Sequence, residues 1–147
     1  MDILIDIDGT IADNFHRLHF IQGPRKDWPA FFDAMGGDDP IPEMVALVKA
    51  LNQAKGVCLV YVTGRPDSHR RQTEYWFADH MSAAWTRLPF MRKAQDYRPD
   101  HAVKAEILKG LRERGYDPKI AIDDRDQVVQ MWRRAGLRCL QCAPGDI

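Results

Sequence analysis

Residues 2–10 read Asp2-Ile3-Leu4-Ile5-Asp6-Ile7-Asp8-Gly9-Thr10. Residues 3–7 form a short apolar run that ends in carboxylates. A run of this length, closed by an Asp-Gly turn signal, predicts a strand that delivers Asp6 and Asp8 to its carboxyl end. Taken alone, Asp8-Gly9 is no more than a common turn. Its meaning depends on whether other strands end the same way.

Two do. Residues 57–62 are a continuous β-rich run, suited to a strand buried on both faces, and they lead into Thr63, Gly64 and Arg65. Residues 119–122 lead into Asp123 and Asp124. Helical patterns lie between these runs. Residues 42–54 place Val45, Val48 and Leu51 on one face, and Pro66 is suited to start the next helix. Residues 102–114 form a helix closed by Gly115, and residues 127–135 one that stops near Gly136. Residues 26–35 carry Trp28, Phe31, Phe32 and Met35 at helical spacing, which reads as a core-packing stripe. Residues 85–91 are ambiguous, a short strand at most, and residues 137–142 are a last strand. Strands alternating with helices predict an α/β fold with a mainly parallel sheet. At 147 residues the whole chain, 1–147, is expected to form one domain, with no repeat or linker.

The composition narrows the function. Lys+Arg and Asp+Glu both number 21, so a uniformly basic nucleic-acid coat is excluded while a local basic site is not. Cys58, Cys139 and Cys142 are an odd set in apolar runs, which predicts reduced thiols and a cytoplasmic protein. Cys139 and Cys142 make a CxxC, yet a zinc ribbon needs a second ligand pair and none lies nearby. No basic segment with a long apolar stretch opens the chain, and no run reaches the ~20 residues of a membrane span. Neither a signal peptide nor a membrane association is expected.

In a parallel sheet, ligands bind at the carboxyl ends of the strands. Asp6 and Asp8, Thr63 to Arg65, and Asp123 with Asp124 can therefore meet in one crevice. Carboxylates gathered there are hard oxygen ligands of the kind Mg²⁺ takes, and without a cation they repel one another. Thr63 and the backbone of Gly64 can donate to a phosphate, and Lys104 can neutralise its charge. A carboxylate is an established nucleophile in phosphoryl transfer, and Asp8, two residues on, suits proton transfer to the leaving oxygen. Each piece has a plain structural alternative: a turn at Asp8-Gly9, a helix cap at Asp123-Asp124, a surface lysine at Lys104. Their order along the chain favours the chemical reading.

Asp6-Ile7-Asp8-Gly9-Thr10, the strand ending at Thr63, Lys104, and Ile122-Asp123-Asp124 resemble the four motifs of the haloacid dehalogenase (HAD) superfamily. The resemblance spans residues 2 to about 142. It implies a Rossmannoid three-layer α/β/α fold with a small or absent cap. It also implies a Mg²⁺-dependent phosphatase. Asp6 would be nucleophile and metal ligand. Asp8 would be the general acid/base and offer its carbonyl to the metal. Thr63 would hold the phosphoryl group, with Thr10 and Gly64 beside it, and Lys104 would stabilise that group and Asp6. Asp124 would be the direct metal ligand and Asp123 its partner. Superfamily dehalogenases lack an acid at the position of Asp8, which favours a phosphatase.

Residues 120–141 and 96–104 are further similar to the 3′-phosphatase domain of phage polynucleotide kinase/phosphatase. This implies removal of 3′-phosphates from nucleic-acid ends, with Arg17, Arg65 and Asp100 serving the phosphate site. No GxxxxGK[ST] loop is present, so no kinase half is expected within these residues. Free nucleotides or other phosphate esters remain alternative substrates, and a silent binding module remains the reading from another class. Residues 13–39 leave room for only a small flap, which suits a polymer end. Arg65, Arg70, Arg71, Arg87, Arg92, Lys93 and Arg98 could form a rim for backbone phosphates. Trp28, Phe31 and Tyr97 could stack on bases, with core packing the expectation for the first two.

Overall fold

The computed structural model describes residues 1–85 and 87–145. Five strands form one parallel sheet: β1 (Asp2–Ile5), β4 (Cys58–Pro66), β5 (Phe90–Arg92), β6 (Pro118–Asp123) and β7 (Arg138–Gln141), in the order β5-β4-β1-β6-β7. β1 lies at the centre, so its carboxyl end has neighbours on both sides.

Alternation along the strands sorts the core into two layers. Ile3, Ile5, Leu59 and Tyr61 pack with Val45 and Val48 of α2 (Pro42–Gln53) and with Trp76 and Phe77 of α3 (Arg70–His80). Leu4, Val60, Val62 and Ala121 pack with Leu108 and Leu111 of α4 (Asp100–Glu113) and with Val128, Val129 and Trp132 of α5 (Asp126–Arg134). The result is the three-layer α/β/α arrangement, with α2 and α3 on one face and α4 and α5 on the other.

Between β1 and α2 the chain leaves the sheet. The two-residue strands β2 (Ala12–Asp13) and β3 (Asp39–Pro40) pair antiparallel and bracket a seven-residue 3₁₀ helix at Phe15–Ile21, a short α1 (Trp28–Asp33) and a 3₁₀ turn at Ala34–Gly37. The aromatic stripe here is only partly core. Phe31 and Met35 are buried, but Trp28 is 41% exposed, because α1 is one and a half turns long and Trp28 stands at its first residue, packed on Phe31 and Phe32.

Two expected boundaries shift. β4 continues past residue 62 through Pro66, whose φ of −70° and ψ of 146° keep the backbone extended, so the helix expected from Pro66 begins at Arg70 after a 3₁₀ turn. The strand sought in residues 85–91 is Phe90–Arg92, paired with Val62, Thr63 and Pro66, while Thr86 of that range lies outside the described residues. No helix among the described residues is long and apolar enough to cross a membrane.

Candidate active site

Strand parity aims the first carboxylate. Leu4 faces the α4/α5 layer, and Asp6, two residues on, turns to the same side, with its N–H donating to Ile122 O at 3.0 Å. Asp123 shares parity with Ala121 and turns there too. Lys104, in the second turn of α4, rises to meet both. Its ammonium donates to Asp6 Oδ1 at 2.7 Å and to Asp123 Oδ2 at 2.8 Å, and lies 3.6 Å from Asp100 Oδ2. Thr10 donates its hydroxyl to Asp6 Oδ2 at 2.8 Å, so each oxygen of Asp6 has a donor. Asp6 and Lys104 are 6% and 1% exposed, which places an ion pair in a low-dielectric setting where geometry decides its value.

Burial works against the charge on Lys104, but Asp100, Asp123 and Asp6 outweigh it and hold its pKa well above the ordinary range. Burial and the neighbouring Asp123 push Asp6 well above the usual carboxylate range, with Lys104 pulling the other way. Burial, then Asp123, brings Asp124 up to about 6. More negative charge is gathered here than Lys104 alone balances.

The donor set fits a hard divalent cation. Asp6, Asp123 and Asp124 present oxygens that all lie within 4.8 Å of one another. Asp123 is already saturated: Oδ1 accepts from the Asp124 N–H at 2.9 Å, and Oδ2 from Lys104 and from Trp132 Nε1 at 3.1 Å. Asp124 Oδ1 is buried and accepts no hydrogen bond. A buried carboxylate oxygen without a donor is costly, and a cation bound there would satisfy it. Asp124 is thus the carboxylate free to ligate such a cation directly, and Asp123 the one that would anchor it. Gly9 shapes the same spot: its φ is +82°, and a methyl group on it would collide with the Asp124 carboxylate.

Asp8 does not join this triad through its side chain. It turns toward Arg65, whose Nη2 reaches its Oδ1 at 2.6 Å and whose Nε lies 3.1 Å from both oxygens. Arg17 Nη2 donates to the same Oδ1 at 2.8 Å. Burial pushes the Asp8 carboxyl up, but Arg65 and then Arg17 overcome it and hold the group below the usual range. Arg17 and Arg65, expected to face the phosphate, are fully buried and committed to carboxylates. Both also donate to Asp38 Oδ2, at 2.7 and 3.0 Å.

The other expected residues divide in the same way. Thr63, 1% exposed, accepts from the Arg65 N–H at 3.1 Å, which leaves its own O–H free to donate. Tyr61 pairs with Ile5, so Thr63 lies level with the bend that carries Asp6 and Asp8. Gly64 packs directly against the Asp100 carboxylate, where a methyl group would not fit. Asp100 is held by cations, Lys104 on one side and Arg92 Nη2 at 3.4 Å on the other. The arginine rim shrinks accordingly. Arg65 is buried, Arg92 is tied to the carbonyls of Gly64, Asp96 and Arg98, Arg70 donates to Pro89 O, and Arg98 is paired with Asp96 and Glu106. Arg87 donates to Tyr116 Oη at 2.7 Å, which leaves Arg71 and Lys93 as exposed basic side chains of that set.

Asp38, Thr73, Trp76 and Trp132 were not singled out by sequence. Asp38-Asp39-Pro40 reads as an ordinary turn, and nothing in its spacing marks Asp38 as a buried partner of two arginines.

A family model for the polynucleotide kinase PNKP phosphatase domain, of HAD type, matches residues 1–147. The chain belongs to that family. It is similar to a chain in the structure of a Pnkp1/Rnl/Hen1 complex at 28% identity and a TM-score of 0.79, covering 99% of this chain and 46% of that one. A second structure, of the Pnkp1/Rnl/Hen1 RNA repair complex, matches at 28% identity and a TM-score of 0.80, covering 99% of this chain and 43% of that one. This PNKP-type phosphatase domain therefore spans less than half the length of those relatives. The class C acid phosphatase from Bacillus anthracis shares the fold, at 14% identity and a TM-score of 0.69 over 99% of this chain and 66% of that one.

Proposed function

We propose that the chain is a Mg²⁺-dependent phosphomonoesterase that removes 3′-phosphates from nucleic-acid ends through an aspartyl phosphate on Asp6. The observation that carries the reading is Asp6 itself. It is a buried carboxylate with one oxygen on Lys104 and the other on Thr10, beside an acidic pair that offers an unsatisfied oxygen. A carboxylate so desolvated and oriented is suited to attack phosphorus.

Asp6, Asp124 and the backbone carbonyl of Asp8 would hold Mg²⁺, with Asp123 fixing Asp124. The metal would offset the charge of the bound phosphoryl group. Asp6 forms the bond to phosphorus as the bond to the 3′ oxygen breaks, and Asp8, having taken up a proton from solvent once the phosphate is bound, gives it to that oxygen. Asp8, again a carboxylate, then takes a proton from the water that attacks the acyl phosphate, releasing phosphate and restoring Asp6. Lys104 holds Asp6 and, with the Thr63 hydroxyl, meets the phosphoryl oxygens. In the resting protein Arg65 and Arg17 keep Asp8 ionised. The negative charge of an arriving phosphate opposes them and returns proton affinity to Asp8.

Substrate choice rests on the family and on the rim. Residues 13–39 are taken as a small flap, which suits an open site for a polymer end. Phe15, in that segment, is 77% exposed, and Tyr97, in the loop tied by Arg92 to Gly64, is 86% exposed. Aromatic rings left in water beside a phosphate site suit stacking on nucleobases.

The test is phosphate release with Mg²⁺ from a 3′-phosphorylated oligonucleotide, a 5′-phosphorylated one and a set of mononucleotides, for wild type and Asp6→Asn. Preference for the 3′ end, lost with Asp6→Asn, supports the reading. Preference for mononucleotides replaces the substrate, and near-normal turnover by Asp6→Asn removes the mechanism.

A further inference from the structure

Four charged side chains close a ring beside the site. Asp8 Oδ1 accepts from Arg17 Nη2 at 2.8 Å and from Arg65 Nη2 at 2.6 Å. Asp38 Oδ2 accepts from the same two nitrogens, at 2.7 and 3.0 Å. Asp38 Oδ1 adds Arg17 Nε at 2.8 Å, making the Arg17 contact a two-point fork. Two guanidiniums and two carboxylates balance. Take away the Asp38 charge and two buried arginines share Asp8 alone, which leaves one positive charge without a partner.

The ring is anchored on every side. Asp38 is 2% exposed and its carbonyl accepts from Trp76 Nε1 at 2.7 Å. Arg65 Nη1 donates to Thr73 Oγ1 at 3.2 Å, and Arg17 lies over the Phe31 ring at 4.4 Å while donating to Phe31 O at 3.2 Å. His16 Nε2 lies 2.8 Å from Asp38 Oδ1 at the outer edge. Of the four, Asp8 is the one that stands two residues from Asp6 on the same strand end. Every other group in it bears on where the Asp8 carboxyl stands.

We infer that Asp38 is a positioning residue for phosphoryl transfer: it fixes Arg17 and Arg65 so that they hold the Asp8 carboxyl in line with the departing oxygen. The inference rests on the proton-transfer role of Asp8 given above. Without Asp38 the guanidiniums close on Asp8 from new directions, and the carboxyl turns away from that oxygen. The loss then depends on how much the leaving group needs a proton. An alkoxide must be protonated as it departs, whereas p-nitrophenolate is stable as an anion near neutral pH.

The experiment compares kcat/KM for glycerol 2-phosphate and for p-nitrophenyl phosphate, in wild type, Asp38→Asn and Asp38→Glu. This ratio reports steps up to departure of the first alcohol, so slow hydrolysis of the acyl phosphate does not mask the effect. Asp38→Glu keeps the ring neutral and so keeps the fold, while it moves the carboxylate. The expected result is a fall of about 100-fold on the alkyl ester and under about 5-fold on the aryl ester, in either variant that melts as a folded protein. Equal falls on both esters would mark a merely structural staple and overturn the inference, as would no fall on either. Wild type inactive on both esters and on oligonucleotides would overturn the proposed function, and this inference with it. A wild type that hydrolyses both esters yet ignores 3′-phosphorylated ends changes the substrate alone and leaves the comparison decisive.

Discussion

Lys104 holds its ammonium 2.7 Å from Asp6 Oδ1, and the same nitrogen lies 2.8 Å from Asp123 Oδ2. One buried cation thus separates two buried carboxylates that would otherwise face each other. Replacing it by a neutral side chain of like length, Lys104→Met, leaves both charges without their partner. Breaking a buried pair in this way costs about 3 kcal/mol or more. Melting curves should show a large fall in Tm without divalent cation. Added Mg²⁺ should raise Tm more in Lys104→Met than in wild type, because it supplies part of the missing charge. An equal Mg²⁺ response in both would show that the cation does not share carboxylates with Lys104. Turnover should fall at least 100-fold.

The Asp124 carboxyl, brought up to about 6 by burial and by Asp123, sets a pH dependence. Its folded pKa lies above its unfolded value, so between about pH 4 and 6 the folded chain holds the extra proton. Stability from this group therefore falls as pH rises through that window, in the absence of divalent cation. Asp124→Asn should remove that slope and make the cation-free protein more stable at pH 7. Mg²⁺ binding requires the ionised form. The Mg²⁺-induced rise in Tm should thus be full at pH 7.5 and shrink below pH 6, with affinity lost about tenfold per pH unit. A rise in Tm that is the same at pH 5 and pH 7.5 would place the cation elsewhere.

Gly9 sits at φ +82° with the Asp124 carboxylate against its Cα. Gly9→Ala puts an L side chain into left-handed backbone, at about 1–2 kcal/mol, and drives a methyl group into the proposed metal ligand. Asp124 must move. The expected outcome is a modest fall in Tm together with a weakened Mg²⁺ response and a drop in kcat/KM of at least about tenfold. A variant that loses stability alone, with Mg²⁺ dependence intact, would show that Asp124 can shift without consequence.

Much of this geometry was legible in the sequence because it follows from local rules. A short apolar run followed by Asp-Gly must end in a turn, and in a parallel sheet that turn lies where ligands bind. Asp6 and Asp123 fall together for that reason, whereas Lys104, which reaches them from α4, was singled out through the resemblance to the superfamily motifs. Arg65 and Arg17 were named through the resemblance, but their orientation toward Asp8 and Asp38 was not legible. An arginine near a phosphate site reads as a phosphate ligand until its partners are seen, and the partner here, Asp38, comes from a turn that carries no periodic signal. Pro66 misled in a similar way. Proline suits both a helix start and an extended strand end, and pairing of β4 with β5 chose the second. Trp28 was assigned to the core by spacing, but a one-and-a-half-turn helix is too short to bury its first residue.

Phe15 and Tyr97 offer a test of the substrate that leaves the chemistry alone. Phe15 stands two residues before Arg17, at the start of the 3₁₀ turn, and Tyr97 stands three residues before Asp100. At 77% and 86% exposure neither contributes much to the core, so truncation should leave Tm nearly unchanged. If each ring stacks on a base next to the terminal phosphate, its loss costs about 1–3 kcal/mol of binding. Phe15→Ala and Tyr97→Ala should then raise KM for a 3′-phosphorylated oligonucleotide about tenfold each, with kcat held. Kinetics on p-nitrophenyl phosphate, which has no base to stack, should not change. Equal effects on both substrates would mean that the rings support the site itself. No effect on either would mean that the strand leaves the site by another route, and the exposed basic side chains Arg71 and Lys93 would become the next to replace.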